Sequence, residues 1–190
     1  MEYRRVAGGR VLRRRSFIVL SAVAVLLFGG GAFLPAWAAL SGDDPGAMFG
    51  AAMCLGVGSL AYRAMRSRIH LTETSIVVVN PLMTYRIPYD AVRKAEVNQG
   101  GSLIIVPRVH DRGAEDEEGY FVVGFAGSLL DRAFNTSAKA AAEINKVQRR
   151  RRKSVESGGK VTRSLTADLV AEMFLASAAI CAVYSLFLRS

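Results

Sequence analysis

The sequence predicts a mixed α+β membrane protein, with transmembrane helices and one small β-rich soluble domain capped by a helix near its C-terminal end. Three observations predict it. Apolar residues are concentrated in three blocks, 17–40, 47–62 and 169–188, and the first carries no charge, spanning about 36 Å as a helix. Between 69 and 148 the pattern changes to short alternating or β-branched runs broken by Gly, Pro and Asn, the signature of strands and turns. The net charge of +9 is also unevenly placed: residues 1–16 carry six Arg against Glu2, whereas 69–148 holds eight Lys/Arg and ten Asp/Glu. Basic residues that flank apolar blocks report membrane topology rather than a nucleic-acid surface, so no nucleic-acid partner is expected.

Residues 1–16 are basic and poor in apolar side chains, and read as a disordered cytoplasmic arm. Block 17–40 follows, loosened by Gly29, Gly30, Gly31 and Pro35, with Trp37 near its far end, where an interfacial aromatic belongs. Arg14-Arg15-Ser16-Phe17-Ile18 and Ala36-Trp37-Ala38 also fit a cleaved twin-arginine export signal. The second block begins a few residues later, which favours an uncleaved helix. Block 47–62 is the shortest, about 24 Å as a helix, and reaches further if Arg63 snorkels. The short loop 41–46 makes the two helices a hairpin. Gly46, Gly50, Cys54 and Gly58 recur every fourth residue, a stripe that permits close helix packing, within the hairpin or between copies. Lys and Arg flank the open end of the hairpin and Asp43 and Asp44 its closed end, so Met1 and Arg68 are expected in the cytoplasm.

The soluble domain is expected over 69–150. Ile69 to Thr72 alternates, Ile76 to Val79 is β-branched, and Met83, Tyr85 and Ile87 alternate with Thr84 and Arg86, as in a strand with one buried face. Lys94 to Val97, Leu103 to Val106 and Tyr120 to Phe125 complete the strands. Ser137 is placed to cap a helix running to about Arg150, with Ala140, Ala141, Ile144 and Val147 on one face. Closely spaced strands followed by one amphipathic helix suggest a small sandwich or open barrel.

The run Leu71-Thr72-Glu73-Thr74-Ser75-Ile76-Val77-Val78-Val79-Asn80-Pro81-Leu82, followed by Thr84-Tyr85-Arg86-Ile87-Pro88-Tyr89-Asp90-Ala91-Val92, resembles the opening of bacterial PH-like domains. It is similar above all to small actinobacterial membrane proteins that carry a helical hairpin before such a domain. The resemblance implies two packed antiparallel sheets capped by a C-terminal helix, and binding or scaffolding rather than catalysis. Tyr89 stands where this family often has Trp, a departure expected to affect packing only, and the block 169–188 is an addition. The loop Thr72-Glu73-Thr74-Ser75 offers one acid and no base, so it gives no support to a phosphoinositide pocket of the eukaryotic kind.

Arg149, Arg150, Arg151, Arg152 and Lys153 end the predicted helix. They read as a contact with anionic lipid, at about 1 kcal/mol per residue near the surface, as a solvated helix end, or as a nucleic-acid patch. Residues 151–168 form a basic and polar linker, and 169–188 a third transmembrane helix running outward, which leaves Ser190 outside. Ser177, Cys181 and Ser185 repeat the small stripe. Asp168 and Glu172 stand one turn apart at its start, where interfacial acids complement a helix N-terminus; a proton path is the alternative. Cys54 and Cys181 lie in apolar blocks, so neither a disulfide nor a metal site is expected.

The expected function is a non-catalytic, membrane-tethered binding or scaffolding module in the cell membrane, multi-pass, with its domain in the cytoplasm. Its expected partners are anionic lipids and an unidentified protein or peptide, with no cofactor. One alternative is an accessory subunit of a transporter or other membrane complex, hinted at by Glu172. A further alternative is a hydrolase using His110 and Asp111, which lack a nucleophile in a recognised setting.

Overall fold

A computed structural model describes residues 2–6, 9–42, 44, 46–108, 119–126, 135–151 and 159–187, with 2–6 and 15 described by their backbone. The chain forms two compact units. The first joins Met1–Arg15 to Ser67–Thr166, and the second joins Ser16–Arg66 to Ala167–Ser190.

The first unit is built on two antiparallel sheets. Strands β1 (Glu2–Val6), β2 (Gly9–Arg13), β3 (Arg68–Leu71), β4 (Ser75–Val79) and β5 (Met83–Pro88) lie side by side in chain order. A late strand, β9 (Thr162–Leu165), adds to the far side of β5. The second sheet is a meander of β6 (Val92–Val97), β7 (Leu103–Pro107) and β8 (Tyr120–Phe121). Both sheets turn one face inward. Leu12, Ile69, Leu71, Ile76, Val78 and Ile87 of the first meet Val92, Leu103 and Ile105 of the second, with Val122 just beyond β8. The helix Thr136–Arg151, called α4 below, adds Ala140, Ala141 and Ile144 to the same core.

The amino-terminal segment, expected to be without structure, supplies β1 and β2. Leu12 is fully buried and pairs with Ile69, while Arg10 pairs with Leu71. Its short, arginine-rich pattern gives no amphipathic signal alone; the strand forms because β3 offers it an edge. The segment expected as a polar linker likewise contains β9, whose side chains are all exposed. Its attachment is backbone pairing to β5, helped by Thr166, whose hydroxyl donates to the Asn80 carbonyl at 2.9 Å. The strand expected over Tyr120 to Phe125 ends after Phe121 and gives way to a 3-10 turn, Val123–Phe125. Gly124 is needed in that turn, because a Cβ there would lie 2.8 Å from the Ser67 carbonyl oxygen. Ser137 is not the cap of α4. It sits inside the first turn, buried, and its hydroxyl donates to the Phe125 carbonyl at 3.1 Å. Met83 is 40% exposed, so the buried face of β5 begins only at Tyr85.

The helical hairpin was expected ahead of the soluble domain. In chain order it falls instead between β2 and β3, which pair as neighbours.

The second unit contains α1 (Arg15–Ala24), a π-helical turn (Val25–Gly29), α2 (Gly30–Leu40), α3 (Ala47–Met65) and α5 (Leu169–Phe187). Three helical stretches, Ser16–Leu40, Ala47–Met65 and Leu169–Phe187, are long and apolar enough to cross a membrane. At 19 residues, α3 exceeds the predicted block by a turn and reaches about 28 Å. It packs against both α2 and α5. Leu26, Leu34, Trp37 and Ile180 point outward and are more than half exposed, the surface expected of helices solvated by acyl chains rather than by water.

Candidate functional site

In the first unit α4 lies against β6 and β7, held by amide side chains as much as by its apolar face. The Asn145 amide bonds both backbone groups of Ala95: it accepts the Ala95 N–H at 2.8 Å and donates to the Ala95 carbonyl at 2.8 Å. The buried Gln148 donates to the Val92 carbonyl at 2.6 Å. These bonds occupy the edge of β6 and fix how α4 is turned about its axis. Asn80 acts similarly at β8, donating to the Phe121 carbonyl and accepting from the Val123 N–H.

With that rotation fixed, a different face of α4 opens toward β2 and β3. Gly9, Arg10, Leu71, Glu143, Lys146, Val147, Arg150 and Arg151 line a cleft of about 230 Å³. Gly9 passes so close to the Leu71 carbonyl oxygen that no side chain fits there. Arg10 forms an ion pair with Glu143. Arg151 reaches across and donates to the Thr72 carbonyl at 2.5 Å, which also accepts the Tyr89 hydroxyl at 2.9 Å. The loop after β3 has no base of its own in sequence, yet tertiary structure brings one to it. Burial pushes the Tyr89 hydroxyl up to about 12, the nearby Arg151 opposing in part. Tyr89 is therefore a hydrogen-bonding residue as well as a packing one.

The structure divides the predicted basic cluster. Arg149 and Arg150 are exposed, Arg151 is half-buried, and Arg152 and Lys153 lie outside the described residues. Arg150 and Arg151 line the cleft; Arg149 does not. Two basic members of the lining, Arg10 and Lys146, escaped the sequence reading. Lys146 stands one turn before Arg150 on the same helix and was legible as such, but Arg10 is brought in only by β2–β3 pairing.

The predicted packing residues all fall in the second unit. Gly58 is at a close crossing: a Cβ there would lie 2.6 Å from Phe28 Cβ and 3.2 Å from the Phe174 ring. Gly50 faces Pro35 at ordinary contact distance, and the Gly46 N–H donates to the Asp44 carboxylate at 2.9 Å. Cys54 and Cys181 are free thiols, both half-buried. Ser185 is buried, whereas Ser177 is exposed. The inward face of α5 runs through Ala171, Phe174, Ala178 and Ser185, and so meets the predicted stripe at Ser185 alone. Ser59 donates to the Ala171 carbonyl at 2.9 Å, a bond between α3 and α5 that the pattern of small residues did not reveal.

The two acids at the start of α5 are both paired with α3. Arg63 donates to the Glu172 carboxylate at 2.5 Å and Arg66 to the Asp168 carboxylate at 3.1 Å. These pairs give α3 and α5 an antiparallel register and engage Glu172, the single hint of an ion path. His110 and Asp111 lie outside the described residues. Among the described residues no group of three His, Cys, Asp or Glu side chains is placed to hold a metal ion.

No protein-family model, no curated protein and no solved structure matches the chain.

Proposed function

We propose that this chain is a membrane-tethered, non-catalytic binding or scaffolding module. Its PH-like soluble unit would stand on the cytoplasmic side, with the basic end of α4 contacting anionic lipid. The observation that carries the reading is the order of the first unit: consecutive antiparallel strands through β5, the meander β6 to β8, then one helix sealing the shared core. That order supports the two-sheet, helix-capped plan implied by the resemblance of residues 71–92. Strands β1 and β9 and the position of the helical hairpin are this chain's departures from it. The arginines at 63, 66 and 68, with those of 1–16 and 149–152, support a cytoplasmic domain through the positive-inside bias.

The test separates the first unit from the apolar helices. Residues 69–153 alone would omit Leu12, so residues 1–15 are joined by a short Gly/Ser linker to 67–166. Five adjacent charges contribute at most about 5 kcal/mol toward an anionic leaflet, within a Debye length of about 8 Å at physiological salt. Weak binding to vesicles containing phosphatidylglycerol is expected, lost in high salt and on changing Arg149, Arg150, Arg151, Arg152 and Lys153 to Gln. Neutral vesicles should bind nothing. Equal binding to neutral and anionic vesicles would sink the lipid contact.

A further inference from the structure

We infer that the cleft between α4 and the β2–β3 pair binds a phosphomonoester group. Four cations, Arg10, Lys146, Arg150 and Arg151, line it against one carboxylate, Glu143. Two are held in place, Arg10 by Glu143 and Arg151 by the Thr72 carbonyl. Among the described residues Lys146 and Arg150 have no ion-pair partner. They stand one turn apart on α4, where like charges repel unless an anion lies between them. A dianionic phosphate answers the excess of positive charge better than a carboxylate, and its oxygens match the forked donors of arginine. Val147, half-buried, adds the apolar part of the lining, suited to the short carbon stem of such a ligand. The open cleft of about 230 Å³ has room for one phosphate on a small polyol. This inference does not depend on a PH-like fold; it shares Arg150 and Arg151 with the contact proposed for the helix end, whereas Arg10, Glu143 and Lys146 belong to the cleft alone. It concerns a defined cleft, and Arg149 is outside it.

The group can come from a soluble metabolite or from the headgroup of phosphatidic acid. The experiment uses the full chain in neutral nanodiscs, titrated calorimetrically with sn-glycerol 3-phosphate. Saturable binding is expected, weakened about tenfold by Lys146→Gln, the value of one charge-assisted hydrogen bond. Glu143→Gln removes the opposing charge and releases Arg10, so affinity should rise severalfold, a gain that misfolding cannot imitate. Lys139→Gln, on α4 but outside both the cleft and the proposed lipid contact, should change it little. In nanodiscs containing phosphatidic acid, a fall in apparent affinity that phosphatidylglycerol does not reproduce identifies the lipid headgroup as the source. No fall identifies a soluble ligand. The inference is overturned if no saturable binding occurs, if Lys146→Gln and Glu143→Gln leave it unchanged, or if Lys139→Gln weakens it as much as Lys146→Gln. Each of those results leaves the vesicle test of the helix end standing on its own.

Discussion

His70 is held on β3 beside Arg68, whose guanidinium N–H donates to His70 Nε2 at 2.8 Å. That bond requires an unprotonated Nε2. Burial first, and the Arg68 charge second, keep the imidazole below its ordinary value of 6.5. The sign follows from proton counting. Below that value the unfolded chain takes up a proton that the folded chain refuses, so stability present at neutral pH is lost as pH falls. We predict that the thermal midpoint of the full chain declines between about pH 7.5 and about pH 5.5, and that His70→Gln reduces the decline, because the Gln carbonyl still accepts from Arg68 without titrating. Parallel pH profiles for the two proteins would remove His70 as the cause. Residues of this kind were the least readable from sequence. The inward alternation of Ile69 and Leu71 is a local period, but the environment of His70 depends on which charge the strand places beside it. Ser137 shows the same limit: its type and position suggest a cap, and only the distant Phe125 carbonyl explains its actual bond.

Among the elements, α4 does the most joining. Its apolar face was legible, since Ala140, Ala141 and Ile144 recur at helical spacing and are buried. Its polar ties were not, because Asn145 and Gln148 look like surface residues until β6 is seen beneath them. Asn145→Ala leaves the Ala95 N–H and carbonyl without the partner that occupies them, and an unmade buried bond costs about 1 to 3 kcal/mol. We predict faster hydrogen exchange across residues 92–97 in that variant, with exchange of β4 unchanged; identical protection of β6 would show the amide to be dispensable. Strands β2 and β9 mark the other limit of sequence reading. One is hidden among arginines and the other is polar on both faces, so neither carries the period-2 signal. Both are specified by the free edges of a sheet whose central strands do carry it. The three apolar helices, by contrast, were plain, because hydropathy over some twenty residues is a local property.

For the whole molecule, the placement of β2 bears on the rival reading of the amino terminus. Cleavage after Ala38 would remove β1, β2 and the fully buried Leu12. A cavity of a leucine's size costs about 2 to 5 kcal/mol, comparable with the lower end of a domain's entire stability of about 5 to 15 kcal/mol. We predict that the protein isolated from membranes retains residues 1–38, read by intact mass, and that a mass corresponding to loss of that segment would overturn the point. Strands β2 and β3 together amount to a hairpin whose turn has been replaced by residues 14–67. During synthesis, then, β2 leaves the ribosome long before its neighbour exists. Its pairing must wait until residues 14–67, with α1 to α3, have been made and the chain has come back. Closing that loop carries an entropic cost that rises only slowly with length, and the helical hairpin α2–α3 turns the chain back so that Ile69 can meet Leu12. A helical hairpin that fails to fold back leaves the sheet short of two strands, so completion of the sheet doubles as a check that the inserted helices have formed.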